Sequence, residues 1–463
     1  MKIGVTVAGF VSTIVFARVL GADVLGTYFL AIAVIGWLEL ASQLGVTTAI
    51  QKRVSEQDNP AAYFTAGGLV LGVATVGVTV SLLLARDWIA SYIGANIVTF
   101  VAVMLLAKVV HSFANAGLRG YHRVSMAATL ELITTIARVV LQVALVVAGF
   151  ELVGMLVGYT VTFGAMGVLG IYLIVSEDPI AQPARRHIAS TLNFAKFAWL
   201  GSLKNQVSGW MDTLVLGFFV TNGLVGIYNV SWNLAIVLTL ASQSLYSALF
   251  PALSELDAKD DMGAFSSILD EALRYAGIIC FPGIIGLALV GSTVLRVYGA
   301  EFTDGAVIAV LIGVFALFSS YQGQFQTALN ALNRPDLSFR VNALFVVVNV
   351  TGNVVLVATV GWVGAAVATT VSMGVALIYA YILTNRQVDV ELPVRDVGHQ
   401  IAAAVIMGIV VYLVEYAIAS FPYYFVVVSV GVGVITYSIV LLSISQPVRK
   451  KTFEILDGWR ATI

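Results

Sequence analysis

Along this chain, apolar runs of about 20 residues, the length a helix needs to cross a bilayer, follow one another between short clusters of Gly, Pro and charge. Reading the breaks gives fourteen spans, at 3–20, 26–50, 63–84, 88–116, 122–149, 152–175, 190–219, 224–249, 265–295, 303–332, 337–359, 361–384, 398–419 and 422–444. The pattern predicts an all-α integral membrane protein with about 14 transmembrane helices. No polar stretch between them is long enough for a separate soluble domain, so function is expected within the membrane. The even count puts both termini on one side. Placing Lys2, the breaks after even-numbered spans and the C-terminal tail on that side gathers 18 of the 24 Lys and Arg there. Both termini are therefore expected to be cytoplasmic. The first run shows no cleavage site, so it is expected to remain as a helix. It begins almost at Met1, and a few further residues are expected to precede it.

Two stretches of the chain nearly repeat each other. LGTYFLAIAVIGWLELASQ (25–43) and VGIYNVSWNLAIVLTLASQ (225–243) place Gly26 and Gly226, Tyr28 and Tyr228, and a closing Ala-Ser-Gln at an offset of 200. KRVSE (52–56) follows the second span and PALSE (251–255) the eighth; ELVGMLVGYTVT (151–162) and GWVGAAVATTVS (361–372) enter the sixth and twelfth. Matches at nearly constant offsets indicate a duplicated six-helix unit. Six is even, so both copies enter from the same side and form a parallel repeat. The expected organisation is an N-lobe at 1–175, a cytoplasmic linker at 176–189, a C-lobe at 190–384, a second linker at 385–397, two further helices at 398–444 and a cytoplasmic tail at 445–463. Two similar lobes suggest a transporter that opens alternately to each side.

Polar residues inside the spans form stripes. Glu131, Thr135, Arg138 and Gln142 share one face of the fifth span, and Lys204, Ser208 and Asp212 one face of the seventh. The fourth carries Lys108, His111 and Asn115, and the second Glu39 and Gln43. A charge at the bilayer centre costs at least about 2.5 kcal/mol, so these groups are candidates for a cavity. Amides line the eighth span (Asn229, Asn233, Gln243), the tenth (Gln322, Gln326, Asn330) and the eleventh (Asn342, Asn349, Asn353). Amides suit sugar hydroxyls and cations suit phosphate, which together describe a large, polar, anionic substrate. The same spacing also serves helix-to-helix hydrogen bonding, and for any single amide that reading competes.

Composition narrows the classes. The 463 residues are 59% hydrophobic and 11% charged, with mean hydropathy +0.96. A net charge of −1 implies no nucleic-acid partner, and Cys280 alone allows neither an internal disulfide nor a cysteine metal cluster. There is no GxxxxGK[ST] phosphate loop, no HExxH and no paired Cys or His set. The chain is expected to be no enzyme, to need no cofactor and to draw energy from an ion, potential or substrate gradient.

With the repeat, ARVLGADVLGTYFLAIA after the first span, DTLVLGFFVTNGLVGIY (212–228), FPALSEL closing the eighth and GWVGAAVATTVS, the whole chain resembles polysaccharide flippases. These are the O-antigen and oligosaccharide-lipid branch of the multidrug/oligosaccharidyl-lipid/polysaccharide exporter superfamily. The resemblance implies a V-shaped two-lobe bundle in the cell membrane with a central cationic cavity. It implies movement of a polyprenyl phosphate- or diphosphate-linked glycan from the cytoplasmic to the outer leaflet. It matches Arg18, and less closely Lys204, to the family's substrate-binding basic residues, and Asp212 to its acidic position. The resulting expectation assigns Arg18, Lys108, Arg138, Lys204, Asn233, Gln326, Asn330, Asn349 and Asn353 to the substrate. Glu39, Glu131 and Asp212 would pair with the cations or carry a coupling cation, Na+ or H+, and Gly26, Tyr28, Gly226 and Tyr228 mark the repeat. The expected partners are the lipid-linked glycan, membrane lipid and neighbouring glycosyltransferases. Alternatives are a drug or metabolite antiporter of the same superfamily, an integral glycan polymerase or ligase, and a scaffold for glycan assembly.

Overall fold

The computed structural model describes residues 2–56, 59–417 and 422–460, with side chains throughout except at 2–8, 197–202 and 455–460. The described residues contain helices and short connections and no strand. The expected end of the thirteenth span at 418–419 and the last tail residues lie outside them.

The chain packs as two units, residues 1–229 and 230–463. The first holds α1 (Lys2–Gln43), α2 (Val46–Glu56), α3 (Pro60–Leu84), α4 (Arg86–Ile93), α5 (Val98–Gly120), α6 (Val124–Leu145), α7 (Glu151–Val175), α8 (Arg185–Phe219) and the start of α9 (Asn222–Ile236). The second holds the rest of α9, then α10 (Leu240–Ala258), α11 (Met262–Ala276), α12 (Cys280–Leu295), α13 (Ala306–Ala331) and α14 (Pro335–Val360). It continues with α15 (Val363–Asn385), α16 (Val394–Ala417), α17 (Val426–Ile444) and α18 (Gln446–Arg460). Eleven helical runs among the described residues are long and apolar enough to cross a membrane.

Backbone breaks explain where runs and expected spans differ. α1 is two helices joined at Gly21 (φ 76°, ψ 174°), inside the break expected between 20 and 26. A five-residue π-turn, Val146–Phe150, with positive φ at Gly149 and Glu151, separates α6 from α7 at the break expected after 149. The second expected span ends earlier than its apolar pattern suggests. Leu44 and Gly45 both take positive φ there, turning the chain into the short α2. The ninth expected span divides into the amphipathic α11 and the apolar α12, and the tail beyond 445 is largely helix.

Local signals fix several starts. Asn59 Oδ1 accepts the Ala62 N–H at 3.2 Å with Pro60 in the first turn, and Asp261 Oδ1 accepts from Ala264 N at 3.0 Å. In the first unit, Ile50, Phe64, Leu105, Leu118 and Ile174 form a dry core, with Phe64 stacked on Phe113 at 4.4 Å. Arg123 ties the start of α6 to the end of α7, reaching Glu177 at 2.8 Å, Asp178 at 2.6 Å and the Leu173 carbonyl at 2.8 Å. In the second unit Val290, Ala404, Met407 and Leu441 pack together, and Tyr437 donates to the Ile278 carbonyl at 2.7 Å.

Candidate functional site

The first unit contains a polar cleft of about 430 Å³. The second half of α1 supplies Gly36, Glu39 and Gln43, α2 supplies Thr47, Thr48 and Gln51, and α5 supplies Ser112, Asn115 and Arg119. Glu131 comes from α6, and Asn205, Gln206 and Trp210 from α8. Glu39 and Gln43 stand one turn apart, and the bend at Leu44–Gly45 brings Thr47 to the same rim, where its hydroxyl donates to Gln43 Oε1 at 3.0 Å.

Both acids are held by neutral donors. Glu39 Oε1 accepts from Gln43 Nε2 at 2.7 Å and from the Ser112 hydroxyl at 2.6 Å, and Glu131 Oε2 accepts from Asn115 Nδ2 at 3.0 Å. Among the described residues no cation lies within 4.0 Å of either carboxylate. The expected ion pairs are therefore not how these groups are held: amides and a hydroxyl solvate them instead. Neither Lys108, Arg138 nor Lys204 has an acid within that distance among the described residues. Lys108 Nζ sits over the Phe163 ring, 4.4 Å from its centre, a cation–π placement. His111 Nε2 is 3.1 Å from the Thr134 hydroxyl.

The remaining expected residues divide by burial. Asp212 is buried on α8 and accepts from the Tyr228 hydroxyl, while Tyr28 accepts from Gln142 Nε2 at 3.0 Å. The two repeat tyrosines thus both reach polar side chains on neighbouring helices. Arg18 is exposed on α1, next to the Gly21 break, and Lys204 is half-buried on α8. In the second unit Asn349 and Asn353 are fully buried between α14 and α15; Asn349 Nδ2 donates to Thr369 at 2.8 Å, and Asn353 Nδ2 to the Asn349 carbonyl at 3.1 Å. These two amides hold helices together, and the cavity role expected of them gives way to the competing reading. Gln326 is half-buried and bridges Ser338 and Asn342, each at 3.0 Å; Asn330 is exposed and Asn233 half-buried.

Glu39, Glu131 and Asn115, named from the sequence, line the cleft together with Arg119, Gln206 and Trp210, which were not named. Arg119 lies in the break after the fourth expected span, although it closes the stripe His111, Asn115, Arg119 at helical spacing. Gln206 and Trp210, four apart on α8, form an amide–aromatic pair beside the more conspicuous Lys204 stripe.

A family model described as polysaccharide biosynthesis protein matches residues 15–307, more than half of the chain. The chain belongs to that family. It is 30% identical over 458 residues to a probable flippase, AglR, of Haloferax volcanii, covering 98% of this chain and 95% of that one. A probable low-salt glycan biosynthesis flippase of the same organism, Agl15, is 25% identical, with 96% and 94% covered. Among solved structures, the lipid II flippase MurJ in an inward closed conformation superimposes with a TM-score of 0.82 at 14% identity, covering 95% of this chain and 97% of that one. That likeness is one of fold. The expected membership of the polysaccharide flippase branch is thereby met, and this family member is an all-helical, multi-pass membrane protein.

Proposed function

We propose that this protein is a flippase that carries a lipid-linked oligosaccharide from the cytoplasmic to the outer leaflet of the plasma membrane by alternating access. The observation that carries the reading is a cleft of acids, amides and one tryptophan within a membrane helical unit, in a chain whose near-full-length relatives are named as flippases. Such a cleft offers hydrogen bonds to sugar hydroxyls and a flat ring for a sugar face. Lys108, Arg138 and Lys204, with Arg18, hold the phosphate or diphosphate. Glu39, Glu131 and Asp212 accept the coupling Na+ or H+, and Asn233, Gln326 and Asn330 meet the outer part of the glycan.

The topology follows from the same reading. Two of the eleven apolar runs contain a glycine break, and α8 is long enough to cross but carries a polar stripe. On this reading the chain crosses the membrane fourteen times, with both termini in the cytoplasm. Six-helix halves related by the repeat supply the moving parts, and glycosyltransferases that build the glycan work beside them.

Deletion in the source strain tests this function: lipid-linked glycan should accumulate on the cytoplasmic leaflet while surface glycan falls. Unchanged surface glycan with no accumulation overturns it. A second reading, a cation-coupled antiporter of small solutes, is favoured by one observation, the two carboxylates without cations. Drug sensitivity of the deletion strain, with normal glycan, would select it.

A further inference from the structure

The cleft in the first unit is asymmetric in its chemistry. Glu39 Oε2, Glu131 Oε1 and Asn115 Oδ1 have no donor among the described residues. Asn115 is 8% exposed and its oxygen is sealed from solvent, so the unmatched acceptors open to the cleft are those of Glu39 and Glu131. Gln206 Nε2 is a buried donor without a partner, Asn205 and Gln51 add two further amides, and Arg119 sets one guanidinium at the edge against the two carboxylates. Trp210 adds the only aromatic surface among the lining residues.

We propose that this cleft is a hydroxyl-reading subsite that takes a neutral or amino sugar and excludes anionic ones. The inference rests on the flippase reading and adds a selectivity to it. A sugar hydroxyl donates to Glu39 or Glu131 and can accept from Asn205 or Gln51 with its own lone pairs. A uronate carboxylate or a phosphate brings acceptors only, and sets a negative charge beside two carboxylates. The diphosphate of a lipid carrier is therefore bound elsewhere, at Lys108, Arg138 and Lys204, and this cleft holds the sugar end.

The test uses the full chain in lipid nanodiscs, with saturation-transfer NMR of methyl mannoside and of glucuronate. The mannoside should bind with at least about tenfold higher affinity than glucuronate, since like-charge contacts cost more than the 1.4 kcal/mol that a factor of ten represents. The double variant E39Q/E131Q should close that gap to within about threefold. Gln at 39 still offers an oxygen to Gln43 and Ser112, so the fold is kept; W210A, as a second variant, should weaken both sugars alike. Equal binding of the two sugars to the unmodified protein, or a preference untouched by E39Q/E131Q, overturns the proposal. Either result leaves the flippase reading to stand or fall on the deletion strain, so the two failures are distinguishable.

Discussion

Gly26 and Gly226 meet backbone to backbone, and the contact is reciprocal. A methyl group on Gly26 would overlap the carbonyl oxygen of Asn222, and one on Gly226 would overlap the carbonyl oxygen of Ala22. Each would also approach the amide nitrogen of the other glycine, at 3.0 and 3.1 Å. The partners, Ala22 with Gly226 and Gly26 with Asn222, repeat the offset of 200 read in the sequence.

Neither glycine tolerates a side chain, because what it would strike is rigid backbone. G26A and G226A should each cost about 3 kcal/mol, the upper range for overpacking a tight core. Thermal unfolding in detergent should show both melting well below the unmodified protein. G72A, at a helical glycine with open space around its Cβ position, should melt normally.

Glu39 is an acceptor for two donors, so removing it and neutralising it should differ. E39A strands Gln43 Nε2 and the Ser112 hydroxyl and should cost about 1–3 kcal/mol. E39Q should lose little stability. Equal melting of the two variants would mean that these hydrogen bonds contribute nothing.

Asn349 lies fully buried against Thr369, and N349A should remove about 1–2 kcal/mol of helix-to-helix bonding. Its sugar binding by saturation-transfer NMR should not change. A loss of binding at unchanged melting temperature would return Asn349 to the substrate.

Arg123 forks between Asp178, Glu177 and a main-chain carbonyl, with its side chain 18% exposed. R123K keeps the charge but loses the fork, and should recover only part of the stability lost in R123A. Melting curves of the three proteins give the order directly.

The sequence made the membrane class and the glycine breaks legible, because each writes itself into linear spacing. Gly21 and Gly149 fall at gaps in hydropathy, and Gly26 and Gly226 sit in matching strings. The roles of individual polar residues were not legible. Asn115 and Asn349 occupy the same kind of stripe, yet one lines a cleft and the other is sealed against a neighbouring helix. Helical spacing fixes which face a residue is on, while the neighbour of that face is decided by tertiary packing. The bend at Leu44–Gly45 escaped for a similar reason: Leu44 takes positive φ inside an apolar string that reads as continuous helix. Arg119 escaped because a charge near a helix end counts equally well as a loop residue.

The central claim is translocation of a lipid-linked glycan, and reconstitution tests it most directly. The purified protein would be placed in vesicles bearing a fluorescent polyprenyl-diphosphate glycan, and the outer-leaflet share read with a membrane-impermeant lectin or quencher. The account predicts that the protein equilibrates the glycan between leaflets and that R138A/K204A abolishes this while still folding. Leaflet exchange no faster than in protein-free vesicles, across imposed Na+ and H+ gradients of either direction, would contradict it.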